Sequence, residues 1–376
     1  MLKYSRTKLF FIWVLFPCLL QHCENRNPAG LVSFPYQIKQ HTFKGQPHGP
    51  LKLSNLSISV ANLYVGQQKI SFDSLTLTSV IEIYFAFQDT FLIGKDTLRP
   101  ADSIGSLFLT FHATHFYLSD TSDSIGNFLA TDRLLSPLKD TLKINKNEFK
   151  DSTDLTLKIT SDSTQWGTLQ KDTLLSRISL KSVSENHYLS ISNGSLRLSL
   201  ERWRPDSSRF DTMTVFPFTF RQVTTLSGPI LSNTTVASDT SALHQFYIKF
   251  NFNNDSLDSN LSSPNLHYAY LELAPADKRL FWLGSRIPFM IGMIDQSESG
   301  AVYQFRAVSK LLTLDSTWLT QDTTLRLTLD QKVLQNWVLQ PEKEKLLFVA
   351  FNSNIPAVIQ FDSSQTRLTL IHGGKQ

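Results

Sequence analysis

Ile81-Glu82-Ile83-Tyr84-Phe85-Ala86-Phe87 sets an apolar side chain at every second position, with Glu82 and Tyr84 between. Successive strand residues face opposite sides, so a period of two marks a strand buried on one face. The same alternation recurs at Ile248, Phe250 and Phe252 around Lys249 and Asn251, and at Leu196, Leu198 and Leu200 around Arg197 and Ser199. Leu325, Leu327 and Leu329 alternate with Arg326 and Thr328, and Leu368 and Leu370 flank Thr369. Long runs of helical period are rare. The pattern predicts an all-β chain.

The punctuation agrees. Of 23 aspartates, 18 are followed directly by Ser or Thr; these short side chains bond their own backbone and favour turns over continued strands. No Asp-x-Asp-x-Asp run converges as a calcium loop requires. Asn193-Gly194-Ser195, between alternating segments, reads as a hairpin turn. One short helix is expected near 330–339: Asp330 is a good N-cap, Val333, Leu334 and Trp337 share a face, and Pro341 stops it.

With 376 residues, 41% hydrophobic and 27 phenylalanines, the chain has material for about two cores and is not a disordered one. Laid side by side, its halves repeat. Ile81-Glu82-Ile83-Tyr84-Phe85 followed by Ile104 to Phe111 matches Phe246-Tyr247-Ile248-Lys249-Phe250 followed by Leu266 to Leu273. Tyr188 to Ile191 with Leu196-Arg197-Leu198 matches Ile359-Gln360-Phe361 with Leu368-Thr369-Leu370. The polar, proline-bearing stretch Arg204-Pro205-Asp206-Ser207-Ser208 marks the junction. The expected organisation is a signal peptide over 1–22, a linker over 23–47, a first β-sandwich over 48–203 and a second over 204–376.

The N-terminus reads as an address. Lys3, Arg6 and Lys8 precede the apolar run Leu9–Leu20, which is too short for a hydrocarbon core needing about 20 residues and fits a secretory signal. Leu20-Gln21-His22-Cys23 resembles a bacterial lipobox, which implies lipidation of Cys23; ordinary cleavage near Pro28-Ala29-Gly30 is the rival. Both cysteines, Cys18 and Cys23, lie in this region, so no disulfide framework or cysteine metal cluster is expected in the body. Without residues 1–22 the chain carries 33 basic and 32 acidic residues, a net charge of +1. No basic run of nucleic-acid type survives.

Several stretches then carry a family likeness. Tyr247 to Phe252, Leu266 to Leu273, Trp318, Leu327 to Trp337, and Phe361-Asp362-Ser363 with Arg367 to Ile371 keep the order and spacing of motifs in one module family. The second half thus resembles the disaggregatase-related (DNRLRE-like) β-sandwich modules of secreted and surface bacterial proteins. In the first half, Asn62-Leu63-Tyr64-Val65-Gly66 looks like that family's early "LYVG" strand. The closing tyrosine and the proline before the last strand are absent, and Phe281 to Gly292 has no counterpart. The resemblance implies two tandem jelly-roll-like antiparallel β-sandwiches, a fold shared with many carbohydrate-binding modules, although fold alone does not convey binding.

Tests for chemistry return little. There is no Gly-x-Ser-x-Gly and no phosphate loop. His112 and His115, three apart on a strand, are expected on opposite faces, so no shared metal is foreseen. Glu82 and Glu272 are expected to point outward beside a cation rather than to form a catalytic pair. No catalytic residue, metal or cofactor is therefore assigned. As aromatic platforms, Tyr268 and Tyr270 alternate with Ala269 and Leu271 and face away from the core; Tyr247 extends their surface, and Trp282 is a second candidate. The expected function is a non-catalytic extracytoplasmic surface or envelope protein, binding a polysaccharide through its sandwiches. The alternatives are a structural or protein-interaction component of the envelope and, third, a polysaccharide lyase or hydrolase. Its expected partners are a polysaccharide or envelope proteins, with the membrane reached only through a lipid on Cys23.

Overall fold

The structure, a computed structural model, describes residues 36–49, 60–70, 74–85, 92–93, 96–97, 103–118, 124–131, 137–160, 176–204, 207–215, 219–229, 234–238, 245–251, 265–296, 303–307, 312–315, 324–338 and 345–375. The expected signal peptide and Cys23 lie outside these residues, as do Trp318 and the side chain of Trp337.

In the first half the strands are β1 (Tyr36–Lys44), β2 (Gln46–Pro47), β3 (Asn62–Lys69), β4 (Thr76–Phe85), β5 (Leu92–Ile93), β6 (Asp96–Thr97) and β7 (Ser103–Leu118). They continue as β8 (Ile125–Thr131), β9 (Pro137–Asn145), β10 (Thr153–Thr160), β11 (Ser176–Ser182), β12 (His187–Ser192) and β13 (Arg197–Arg204). The second half holds β14 (Arg209–Val215), β15 (Thr219–Ser227), β16 (Thr235–Ala237), β17 (Phe246–Phe250), β18 (Asn265–Leu273), β19 (Pro275–Trp282) and β20 (Arg286–Gln296). After these come β21 (Tyr303–Ala307), β22 (Leu312–Asp315), β23 (Leu325–Thr328), helix α1 (Gln331–Val338), β24 (Lys345–Phe351), β25 (Ala357–Phe361) and β26 (Arg367–Lys375). The fold is all-β, as two antiparallel jelly-roll-like sandwiches with one short helix. Asp330 caps that helix, its Oδ1 accepting from the N–H groups of Lys332 (2.9 Å) and Val333 (3.1 Å), while Leu334 enters the second core.

Each sandwich has its own core. Leu63, Val65, Ile81, Ile83, Leu109, Phe111 and Phe128 belong to the first, and Phe246, Ile248, Phe250, Leu271, Phe289 and Leu368 to the second. The expected repeat is present in the central strands, with matching register. Leu109 faces Leu198 on one side and Leu157 on the other; in the second unit Leu271 faces Leu368 and Leu327. Ile83 opposite Ile178 corresponds to Ile248 opposite Leu347. The long β7 of the first unit corresponds to β18 and β19, which are separated at Ala274.

The domain boundaries need correction. The segment expected as a linker contains β1, which pairs over its whole length with β26, and β2, which pairs with β17; Phe43 enters the second core. Conversely, β14 pairs with β13 and β15 with β4, so residues 209–227 complete the first sandwich. The stretch 204–208 therefore separates two sequence repeats, 36–204 and 209–375, but not two folded bodies. Each repeat's opening two-strand arm lies on the core of the other, in the same place. An edge strand shows the same alternation whichever sheet it joins, so periodicity could not assign it.

The units also pack directly on each other. Tyr64, Tyr188 and Leu283 cluster with Tyr117, Phe281 and Ile355, and Ile70, Leu75 and Leu77 meet Ala237 and Val358. The Tyr64 phenol is pushed up to about 12, chiefly by burial and then by Tyr117. A buried amide pair crosses the contact. Asn354 Nδ2 donates to Gln222 Oε1 (2.7 Å) and to the Asn62 carbonyl (2.6 Å), while Gln222 Nε2 donates to the Asn354 carbonyl (2.7 Å). Gln222 Oε1 also accepts from the Tyr64 N–H (2.8 Å). Buried amides left without such partners are costly, so the two faces lock in one register.

Candidate surface site

The outer face of the sheet ordered β1-β26-β18-β23 is where the expected platform falls. Ala269, Leu271, Leu368, Leu370 and Leu327 point into the core, so their neighbours point out. Tyr268 is 40% exposed, while Tyr270 is only 8% exposed. Their ring centroids are 5.7 Å apart, with the planes inclined at 49°. The Tyr268 hydroxyl lies 2.8 Å from Thr328 Oγ1. Across the sheet Tyr270 is level with Thr369, whose Oγ1 is 3.2 Å from that of Thr42 on the exchanged strand β1. The next row, Lys44-Arg367-Glu272-Arg326, is held by Arg326, whose NH2 donates to Glu272 Oε1 at 2.7 Å. The Arg326 guanidinium sits 4.5 Å from the Tyr270 ring centroid, a cation–π contact that covers one face of that ring.

The other two aromatic candidates are not on this surface. Tyr247 is fully buried on β17, in the opposite sheet, within a second cluster of Ile294, Leu346, Phe348 and Ala350. Its hydroxyl donates to Gln245 Oε1 at 2.9 Å. Trp282 packs into the second core opposite Ala357. Parity located the outward side of Tyr247 but not what lies over it, and β17 and β18 are neighbours in sequence without being neighbours in a sheet.

Glu82 and Glu272 both face outward beside cations. Glu82 accepts from Tyr84 Oη (2.7 Å), Arg221 Nε (2.7 Å) and Arg177 NH1 (3.1 Å), with Arg221 stacked over the Tyr84 ring. Burial alone raises its carboxyl, but the bonds from Tyr84 and Arg221 and the charges of Arg221 and Arg177 outweigh that and hold it below the ordinary value of 4.5. A depressed carboxyl stabilises the fold above its unfolded pKa and loses that contribution as pH falls through its folded one. Glu82→Gln is therefore expected to cost about 1–2 kcal/mol at pH 7 and less at pH 3. Urea unfolding of both proteins at the two pH values checks this, and an equal difference at each rules out the ion network as the cause.

His112 and His115 share the outer face, against expectation. The β7–β12 register slips between Ser190–His115 and Ile191–Ala113, a bulge that leaves Ala113 and Phe116 both inward. His112 Nδ1 lies 2.7 Å from Asp154 Oδ1, and His115 Nδ1 lies 3.1 Å from Asp151 Oδ2. Ser195 meets this corner: its Oγ donates to the Ser192 carbonyl (2.7 Å) and accepts the His112 backbone N–H (3.0 Å). Nor is Asn193-Gly194 a hairpin; β12 and β13 run on in one direction along β7, and Ser195 bridges the gap. Among the described residues no group of three or more His, Cys, Asp or Glu side chains is placed to hold a metal, and no helix is long and apolar enough to cross a membrane.

Comparison with protein-family models, with curated proteins and with solved structures finds no match to this chain.

Proposed function

We propose that this is a non-catalytic extracytoplasmic protein that binds a polysaccharide chain along the β1-β26-β18-β23 face. The observation carrying the reading is the pairing of Tyr268 and Tyr270 beside the exposed hydroxyls of Thr42 and Thr328, with Arg326 and Glu272 adjoining. Aromatic rings offer an apolar plane to a sugar's C–H face, and the flanking groups match its hydroxyls. The likeness of the second half to DNRLRE-like modules supports the same reading. The secretory N-terminus with Cys23 supports an extracytoplasmic, lipid-anchored setting. Tyr268→Ala and Tyr270→Ala are each expected to weaken glycan-array binding about tenfold, roughly 1.4 kcal/mol. Binding unchanged in both variants, or no glycan bound by the parent protein, rejects this face.

A second reading is favoured by the Arg326 cover on Tyr270, a ring only 8% exposed: a structural or protein-interaction component of the envelope. It requires protein partners recovered from membranes while the arrays stay blank.

A further inference from the structure

β9 and β10 follow each other in the chain and lie side by side, yet among the described residues no ladder joins them: β9 pairs with β8, and β10 with β7. Their facing edges frame an open groove of about 460 Å³, within the range of roughly 300–1,000 Å³ typical of small-ligand sites. Leu142 and Leu157 form its floor. One rim carries Phe108, Thr156 and Lys158, and the other carries Thr141, Lys143 and Asp140. The Lys158 Nζ stands 5.8 Å from the Phe108 ring centroid.

The repeat makes this arrangement informative. Because Leu109 and Leu271 occupy equivalent registers, Phe108 is the counterpart of Tyr270. Each unit thus sets an outward aromatic under a cation from the strand beside it, Lys158 in one and Arg326 in the other. In the second unit Glu272 neutralises the cation; the equivalent position in the first is Thr110. The first unit's cation comes from another position, Lys158 directly opposite Phe108 where the second unit has Thr328 opposite Tyr270, the acid is absent, and a groove with a second lysine opens next to it.

We propose that this seam is a separate binding site for a uronate residue of an acidic polysaccharide, a proposal that rests on the polysaccharide reading above and adds a second, charge-selective contact. The apolar face of the sugar lies on Phe108, its hydroxyls meet Thr141 and Thr156, and its carboxylate sits between Lys143 and Lys158. Two lysines against the single Asp140 leave the rims with an excess of positive charge, which favours an anion over a neutral sugar.

The test is affinity electrophoresis and calorimetry with polygalacturonate and with its fully methyl-esterified form, which keeps the backbone and removes the charge. The parent protein is expected to bind the acid polymer about tenfold more tightly than the ester. Lys143→Gln/Lys158→Gln is expected to abolish that preference, whereas the charge-matched Lys69→Gln/Arg286→Gln control, away from the seam, retains it. Equal binding of the two polymers, equal loss in both double variants, or no binding of polygalacturonate overturns the proposal. If array glycans still bind through Tyr268 when the seam variant changes nothing, only the seam falls; if the parent protein binds no glycan at all, both readings fall together.

Discussion

Deleting residues 36–47 is expected to unfold the second sandwich and spare the first, although those residues precede the first in the chain. Nine residues of β1 ladder onto β26, and removing them leaves Leu368, Leu370 and His372 at a bare sheet end. Phe43 is lost from the second core; Phe43→Ala alone is expected to cost roughly 3–5 kcal/mol, a large part of a domain's net stability of about 5–15 kcal/mol. Gly45 fixes the corner where the arm passes from one sheet to the other. Its N–H donates to the Thr366 carbonyl at 2.9 Å, and a Cβ there would meet Ile248 Cγ2 at 2.5 Å. Hydrogen exchange resolves the outcome: amides of β18, β24 and β26 lose protection in the deletion, while those of β3, β4 and β12 keep it. A complementary measurement reads the exchange covalently. In a chain with Cys18 and Cys23 changed to serine, Thr42→Cys/Thr369→Cys forms a disulfide, because the hydroxyls it replaces are 3.2 Å apart. Cutting that chain at an engineered protease site between Arg204 and Ser207 leaves one band without reductant and two with it. Two bands without reductant, or equal loss of protection in both sandwiches, contradicts the exchanged arrangement.

How far these features could be read beforehand follows from the range of the forces involved. Alternation at Ile81–Ile83 and Ile248–Phe250 reflects burial on one face, a property of each segment alone, and the structure has strands there with those residues in the cores. The outward placement of Tyr268 and Tyr270 followed from the same parity. The bulge at Ala113–His115 carries no glycine or proline to announce it, so counting by twos failed there. Asn193-Gly194 has turn chemistry and makes a local turn, with Gly194 at φ +84°, but whether a chain reverses depends on the neighbouring strand β7 rather than on two residues. The Arg326 cover on Tyr270 and the burial of Tyr247 are set by residues distant in sequence. The exchange of arms is the extreme case. Two similar repeats offer each arm two similar docking edges, and the choice between them depends on connections and packing that no local pattern records.

Gly66→Ala is expected to be among the most damaging single substitutions in the first sandwich, even though Gly66 is not among the glycines with positive φ. The cause is proximity: a Cβ on Gly66 would lie 2.2 Å from the His187 carbonyl oxygen and 2.4 Å from Tyr188 Cδ1. Strand interiors exclude side chains where another backbone comes this close. The clash cannot be relieved by a rotamer change, because Tyr188 is anchored by its hydroxyl, which donates to the Leu77 carbonyl at 2.8 Å, and His187 belongs to the β3–β12 ladder. The ladder must open, at a cost of roughly 3 kcal/mol, the upper part of the overpacking range. Tyr188 and Tyr64 also form the contact with Leu283 of the second unit, so the damage reaches the interface as well as the sandwich. Gly194→Ala separates this cause from ordinary backbone strain. Its φ is +84° and nothing lies within 4 Å of the added Cβ, so the cost is the left-handed conformation alone, about 1–2 kcal/mol. Chemical denaturation of the two variants should therefore rank Gly66→Ala well below Gly194→Ala in stability. The reverse order, or equality, would mean that β3 and β12 are not pressed together at Gly66, and that the register carrying Tyr64 and Tyr188 to the second unit is held by something else.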